Sequence, residues 1–116
     1  MSKTLSIVIP AYNEGATIHR ILDLIKKVEL IDNIQKEVII VNDCSKDNTE
    51  DAVLAYKEAN PELPISYYKH EVNQGKGAAL HTGIKQAKGE YTIIQDADLE
   101  YDPFEYNLLL KQIVNG

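Results

Sequence analysis

Cysteine is nearly absent: Cys44 stands alone among 116 residues, so no internal disulfide can form and the chain suits a reducing compartment. Positive charge is also scarce. Twelve Lys and Arg face 18 Asp and Glu, a net charge of −6, and the basic face that a nucleic-acid binder turns to phosphates is missing. No apolar run approaches the ~20 residues needed to span a bilayer. The opening Met1-Ser2-Lys3-Thr4 leads into Leu5 to Ile9 and at once to Pro10, too short an apolar stretch for a secretion signal. The expectation is a cytoplasmic protein without a targeting segment in these residues. Repeats, low-complexity tracts and linkers are lacking too. What remains is 44% apolar and 26% charged, an ordinary soluble composition, and its length suits one domain with a single core.

Short apolar runs alternate with segments of helical period, which predicts an α/β domain built on a parallel sheet with helices on both faces. Strands are expected at Leu5 to Ile9, ended by Pro10, at Val38 to Val41, at Ile65 to Tyr68 and at Tyr91 to Ile94. Ile18, Ile21, Leu22 and Ile25 recur at i, i+3, i+4 and i+7, one apolar face of a first helix. A second helix is expected from about Asp47, with Glu50 completing a capping box, Ala52, Val53 and Tyr56 facing inward, and Pro61 as its stop. A third follows Gly77, with Leu80, Ile84 and Ala87 on one face and Gly89 as its C-terminal stop. A last helix begins at Pro103.

The unusual polar residues cluster where the strands end, the edge at which open parallel sheets bind ligands. Asp96-Ala97-Asp98 follows the fourth strand. Two carboxylates at i and i+2 of an extended segment point the same way, so both can approach one hard cation such as Mg2+ or Mn2+, with Glu100 able to join the shell. An acidic chain that handled an anionic ligand would need such a cation. A lone Asp-x-Asp is more often a solvated turn; its place directly after an apolar strand favours the metal. Pro10-Ala11-Tyr12-Asn13-Glu14 presents an aromatic ring, an amide and a carboxylate that suit a nucleobase and ribose, although Asn13 as a plain helix cap explains the loop equally well. Asp43, at the end of the second strand, is placed to accept hydrogen bonds from a base or a ribose, whereas Ser45, Asp47 and Thr49 have turn and cap roles available. Cys44 is expected to pack rather than to act as a nucleophile. In Asn73-Gln74-Gly75-Lys76-Gly77 two glycines flank a lysine before a helix, which permits close approach of an anion to the helix N-terminus and lets Lys76 face a phosphate. A loop-to-helix junction accounts for the same residues, and His81 beyond it is expected to be packed or solvent-facing.

Taken in order, Ser6 to Glu14, Val41 to Thr49, Asn73 to Gly77 with Gly83 and Ala87 to Gly89, and Asp96 to Glu100 resemble the N-terminal half of family 2 inverting glycosyltransferases of the GT-A fold. The stretch Asp96-Ala-Asp-Leu-Glu-Tyr-Asp-Pro103 is most similar to the branch that makes polyprenyl (dolichyl) phosphate mannose or glucose. The resemblance implies a Rossmann-like nucleotide-binding half, residues 1–116 forming the nucleotide-sugar-binding part of a longer transferase domain. It implies a nucleotide-diphosphate sugar, GDP-mannose or UDP-glucose, held by Pro10, Tyr12, Glu14, Asp43, Lys76 and Asp96. It also implies a Mg2+ or Mn2+ ion on Asp96, Asp98 and Glu100, with Asp98 in the catalytic role, and a polyprenyl phosphate or glycan acceptor. Asn42 stands where many members carry an aspartate, and Glu100 where this branch often has glutamine. Members continue well beyond this length, so the chain is expected to be inactive alone, to self-associate through an unpartnered last helix and fourth-strand edge, and to meet the inner face of a membrane in the full-length protein. Two alternatives stand beside this: a family 2 transferase for cell-surface polysaccharide, and a non-catalytic nucleotide-sugar-binding module. A receiver-type signalling domain is disfavoured because Pro10-Ala11 replaces the acids it needs after the first strand. An Asp-x-Asp phosphatase would carry that motif after the first strand, and a pyrophosphorylase would open with a glycine-rich, arginine-bearing loop.

Overall fold

The computed structural model describes residues 3–97 and 103–115. Four strands, β1 (Thr4–Ala11), β2 (Gln35–Asn42), β3 (Ile65–Lys69) and β4 (Tyr91–Ile94), form one sheet in the order β3-β2-β1-β4. Every pairing is parallel. Helices α1 (Ile18–Lys27), α2 (Thr49–Ala59) and α3 (Lys76–Gln86) make the crossovers, and α4 (Tyr106–Asn115) follows a 3-10 turn at Pro103–Glu105. The α/β expectation holds.

Alternation along β1 divides the core. Leu5, Ile7 and Ile9 face one side of the sheet, where they pack with Ile18, Ile21, Leu22 and Ile25 of α1, Val53 and Tyr56 of α2, and Tyr106 and Leu110 of α4. Val8 faces the other side, with Ile39 and Val41 of β2 against Ala79 of α3. The α1 stripe read from the sequence is fully buried, and burial of side chains of this size contributes roughly 1.5–3 kcal/mol each. The chain crosses from β1 to β2 to β3 in one direction and returns past β1 to β4, which puts α3 on the opposite face and opens a switch point between β1 and β4.

Several boundaries differ from the sequence expectation, each for a local reason. Proline does not end β1, since Pro10 pairs in register with Val41 and the strand runs on to Ala11. The Val8 carbonyl accepts from Gln95 N on the β4 side and the Ala11 carbonyl from Asp43 N on the β2 side. Neighbouring residues thus face opposite strands, and the missing Pro10 N–H falls on the β4 side, past the last β1–β4 pair of Val8 with Ile94. No ladder bond is lost, so the usual objection to proline in a strand does not apply.

The Glu50 capping box does not form. Helix α2 begins at Thr49, and its first amide donates to Asp47 Oδ1 at 3.0 Å, while the Glu50 carboxylate accepts from Tyr67 OH and Lys69 Nζ. Of the face expected for α3, Leu80 and Ala87 do pack against the core, but Ile84 is 49% exposed and the fully buried residues are Ala79 and Gly83. A Cβ on Gly83 would run into the Val8 and Val41 side chains, so the smallest residues, not the largest, set how closely α3 lies on the sheet. Gly89 lies beyond the end of α3 and donates its amide to Ser6 Oγ at 2.8 Å, tying the loop to β1 rather than capping the helix. The last helix is not unpartnered either. Tyr106 and Leu110 enter the core, and Asn107 bonds the amide of Ile31 and the carbonyl of Glu29. β4 is one edge of the sheet among the described residues, β3 the other.

Candidate functional site

Four loops meet at the carboxyl ends of the strands, and two of them are fastened together. The β1–α1 loop takes a left-handed turn at Asn13, φ 56°. The Asn13 amide donates to Ser45 Oγ at 2.8 Å and its side-chain oxygen accepts from Lys46 N at 2.8 Å. Glu14 N donates to Thr49 Oγ1 at 2.9 Å, and Gly15 N to Asp47 Oδ2 at 3.1 Å. Asn13 is therefore a clip between loops rather than a cap, and Ser45, Asp47 and Thr49 are structural, as expected. Cys44 is half-buried with its thiol directed at the Glu71 carbonyl.

Asp43 emerges from β2 into the centre of this edge and is buried. Its Oδ1 accepts from Gln74 N and its Oδ2 from Gly75 N, both at 2.8 Å. His70, directly after β3, places Nδ1 2.8 Å from Asp43 Oδ1 and Nε2 2.9 Å from Thr82 Oγ1 of α3. Burial works to raise the Asp43 pKa, but the two amides and His70 outweigh it and hold the carboxyl below its ordinary value of 3.8. An ionised Asp43 makes Nδ1 the donor, which leaves Nε2 to meet the threonine hydroxyl. Gly75 reaches this bond at φ 93°, ψ 162°, a region open in practice only to glycine.

Between these loops lies a hollow of about 340 Å³ lined by Pro10, Ala11, Tyr12, Glu14, Asp43, Asn73, Gly75, Lys76, Ala79, Asp96 and Ala97. It sits at the switch point of β1 and β4, the place such sheets use for ligands, and its size falls in the range of small-molecule sites. All six described residues singled out from the sequence, Pro10, Tyr12, Glu14, Asp43, Lys76 and Asp96, line it together. Asp98 and Glu100 lie outside the described residues. Tyr12 is 43% exposed at the rim, its ring open to stacking. Lys76 Nζ sits 2.6 Å from Asp96 Oδ1.

The described lining carries three carboxylates, Glu14, Asp43 and Asp96, against the single ammonium of Lys76. An anionic ligand entering here needs a further positive charge. Among the described residues no group of three His, Cys, Asp or Glu side chains converges to hold a metal ion. Asp96 supplies one oxygen donor of the right chemistry, and the ammonium already against it marks a position that favours a cation.

A second hollow, about 440 Å³, opens at the opposite end of the sheet between Lys26, Lys36, Glu37, Glu62 and Lys88. Two of its cations, Lys36 and Lys26, already have partners. Lys36 Nζ donates to the carbonyls of Ile25, Lys26 and Val28 at 2.7–3.0 Å, closing the C-terminus of α1, and burial depresses its pKa. Lys26 pairs with Glu62 at 2.5 Å.

Sequence reasoning missed His70. The available signal was a histidine at the carboxyl end of a strand, five residues before a glycine-lysine-glycine loop, but its link to Asp43 spans 27 residues and no periodicity reports it.

A doubly wound parallel sheet with its polar loops gathered at the switch point defines the class: an open α/β protein whose ligand edge lies at the carboxyl ends of its strands. Residues 6–116 match Glycosyl transferase family 2, and the chain belongs to that family. It is 37% identical over 114 residues to dolichyl-phosphate beta-glucosyltransferase ALG5A of Trichomonas vaginalis, which covers 94% of this chain and 35% of the relative. Among solved structures it is similar to the mannosyltransferase PcManGT of Pyrobaculum calidifontis in complex with GDP-Man and Mn2+, with TM-score 0.75 and 32% identity over 84% of this chain and 28% of the other. It is also similar to S. aureus TarS 1-349 in complex with UDP, with TM-score 0.81 and 27% identity over 99% of this chain and 32% of the other. The chain thus spans about a third of the length of these proteins. No helix among the described residues is long and apolar enough to cross a membrane.

Proposed function

We propose that this chain supplies the donor side of a metal-dependent inverting hexosyltransferase that uses a nucleotide-diphosphate sugar and delivers to a polyprenyl phosphate. The observation that carries the proposal is the convergence of Tyr12, Asp43, Lys76 and Asp96, from four separate loops, on one hollow at the switch point. Tyr12 and Pro10 form the wall for the base. Glu14 and Asp43 face the ribose. Lys76, at the first residue of α3, stands where a diphosphate meets the helix N-terminus, so its ammonium exchanges Asp96 for phosphate oxygens when the donor enters.

Asp96 is the described residue that would hold a Mg2+ or Mn2+ ion, with Asp98 and Glu100 as the further ligands. When bound, such an ion supplies Lewis-acid neutralisation of the departing nucleoside diphosphate. The acceptor oxygen attacks the anomeric carbon from the face opposite the diphosphate. One carbon–oxygen bond forms as the other breaks, and the nucleoside diphosphate leaves with the electron pair. A phosphate acceptor is already anionic, so this chain needs to provide no base for that step. The dolichyl-phosphate glucosyltransferase relative and the GDP-Man, UDP and Mn2+ complexes of the neighbours support this reading; in it, the full protein works in the cytoplasm at a membrane face.

The test is calorimetric titration of this chain with GDP-mannose and with UDP-glucose, each with Mn2+ and with EDTA. Metal-dependent binding of one donor, lost in Asp96→Asn, is expected. Equal affinity with and without metal, or in the variant, would sink the metal assignment.

A further inference from the structure

The diphosphate end of the hollow has no rigid covalent frame. Its floor is the segment 73–77, which has no strand or helix of its own before Lys76 and which turns through the left-handed Gly75. Its backbone hangs from the Asp43 carboxylate, with three donors on two oxygens, while Asn73 Nδ2 donates to the Asp43 carbonyl at 3.3 Å and Lys76 pairs with Asp96. Two of the three carboxylate donors are the loop amides. The third, the His70 ring, is 9% exposed and is held in turn by Thr82 on the helix that the loop leads into. The ring thus bridges β2, the end of β3 and α3, and fixes the carboxylate plane from which the loop hangs.

We propose that His70 is a positioning residue for the phosphate-binding end of the site. Its Nδ1–H orients Asp43, Asp43 orients the Gln74 and Gly75 amides, and these set Lys76 and the N-terminus of α3 against the donor. Both ring nitrogens are engaged and the ring is buried, so His70 touches no substrate and acts chiefly through Asp43, with Thr82 holding the ring in place. The loop-ordering part of this stands on geometry alone; the effect on donor affinity rests on the proposed function.

The test compares His70→Ala with His70→Asn in the full 116-residue chain. The side-chain amide nitrogen of asparagine sits the same number of bonds from Cβ as Nδ1, so the second variant keeps a donor for Asp43 while losing Thr82. Amide hydrogen exchange at Gln74 and Gly75 reads the loop without reference to any ligand, and titration with the preferred nucleotide sugar and Mn2+ reads the site. One charge-assisted hydrogen bond corresponds to about tenfold in an equilibrium. His70→Ala is expected to lose about that factor in both amide protection and donor affinity, and His70→Asn to recover most of both. Unchanged protection in His70→Ala overturns the proposal, as does a His70→Asn variant that folds like wild type yet performs no better than alanine. If wild type binds no donor, the functional reading fails, while the exchange data still decide the role of His70.

Discussion

Replacing Asp43 by asparagine exchanges one oxygen for an NH2 group and probes the centre of the site. The carboxylate accepts three hydrogen bonds at 2.8 Å, and asparagine offers one acceptor oxygen. The better rotamer keeps that oxygen at Oδ1, facing His70 and Gln74, and turns its NH2 toward the Gly75 N–H. A buried donor left without an acceptor costs about 1–3 kcal/mol. The two retained bonds lose an ionised acceptor and with it about half their strength, roughly 1 kcal/mol each. Asp43→Asn should therefore cost about 3–5 kcal/mol, a large part of the 5–15 kcal/mol typical of a domain. Urea denaturation at neutral pH, with the exposed Asp51→Asn as control, reads the difference directly. The control should stay within about 0.5 kcal/mol of wild type. If Asp43→Asn does the same, the carboxylate is not holding the loop, and the structural account of the diphosphate end is wrong.

Three further perturbations test other parts of the structure. Gly83→Ala brings a Cβ against Val8 and Val41 and should destabilise by about 1–3 kcal/mol despite the better helix propensity of alanine; a thermal melt no lower than wild type would show that α3 can lift freely off the sheet. Asp47 is held below the ordinary carboxyl value by the Thr49 hydroxyl, with the Gly15 and Thr49 amides adding to it against burial, and Asp43 is lowered as well. Below about pH 4 the unfolded chain takes up protons that these folded carboxylates refuse, so stability is whole above that pH and is lost as pH falls through the folded values; Asp43→Asn should flatten this slope in melts between pH 5 and 2. Lys76→Met removes the cation now on Asp96, an exposed pair worth about 0.2–1 kcal/mol. Mn2+ affinity without nucleotide should rise by up to about fivefold while donor affinity falls, and a fall in both would mean that Lys76 does not compete for Asp96.

The sheet was largely legible because parallel strands buried on both faces leave continuous β-branched runs, as in Val38-Ile39-Ile40-Val41, and because the α1 stripe keeps helical period. Of the six described candidate residues, Tyr12, Glu14, Asp43 and Asp96 were legible as punctuation, each within three residues of a strand end where a polar residue has no packing reason to be, whereas Pro10 lies within β1 and Lys76 opens α3. The misreadings arose where tertiary contact overrode a local rule. The inward face of α3 was set by Gly83 against Val8 and Val41, which favours small residues over the large ones that periodicity weighs. Pro10 stayed in its strand because β4 ends two residues earlier along the pairing, a fact about a neighbour 84 positions away. The Asp43–His70–Thr82 chain joins three elements through side chains and leaves no pattern along the sequence.

The central claim is that the hollow between Tyr12, Asp43, Lys76 and Asp96 seats a nucleotide diphosphate with its metal ion. The most direct measurement is amide NMR of the labelled chain with UDP-glucose or GDP-mannose and a trace of Mn2+, whose unpaired electrons broaden nearby resonances. Broadening that centres on Asp96 and Ala97, reaches Gly75 to Gly77, requires nucleotide and vanishes with EDTA is the predicted result. Broadening centred on the Lys26, Glu37 and Glu62 end of the sheet, or spread without regard to nucleotide, would contradict it.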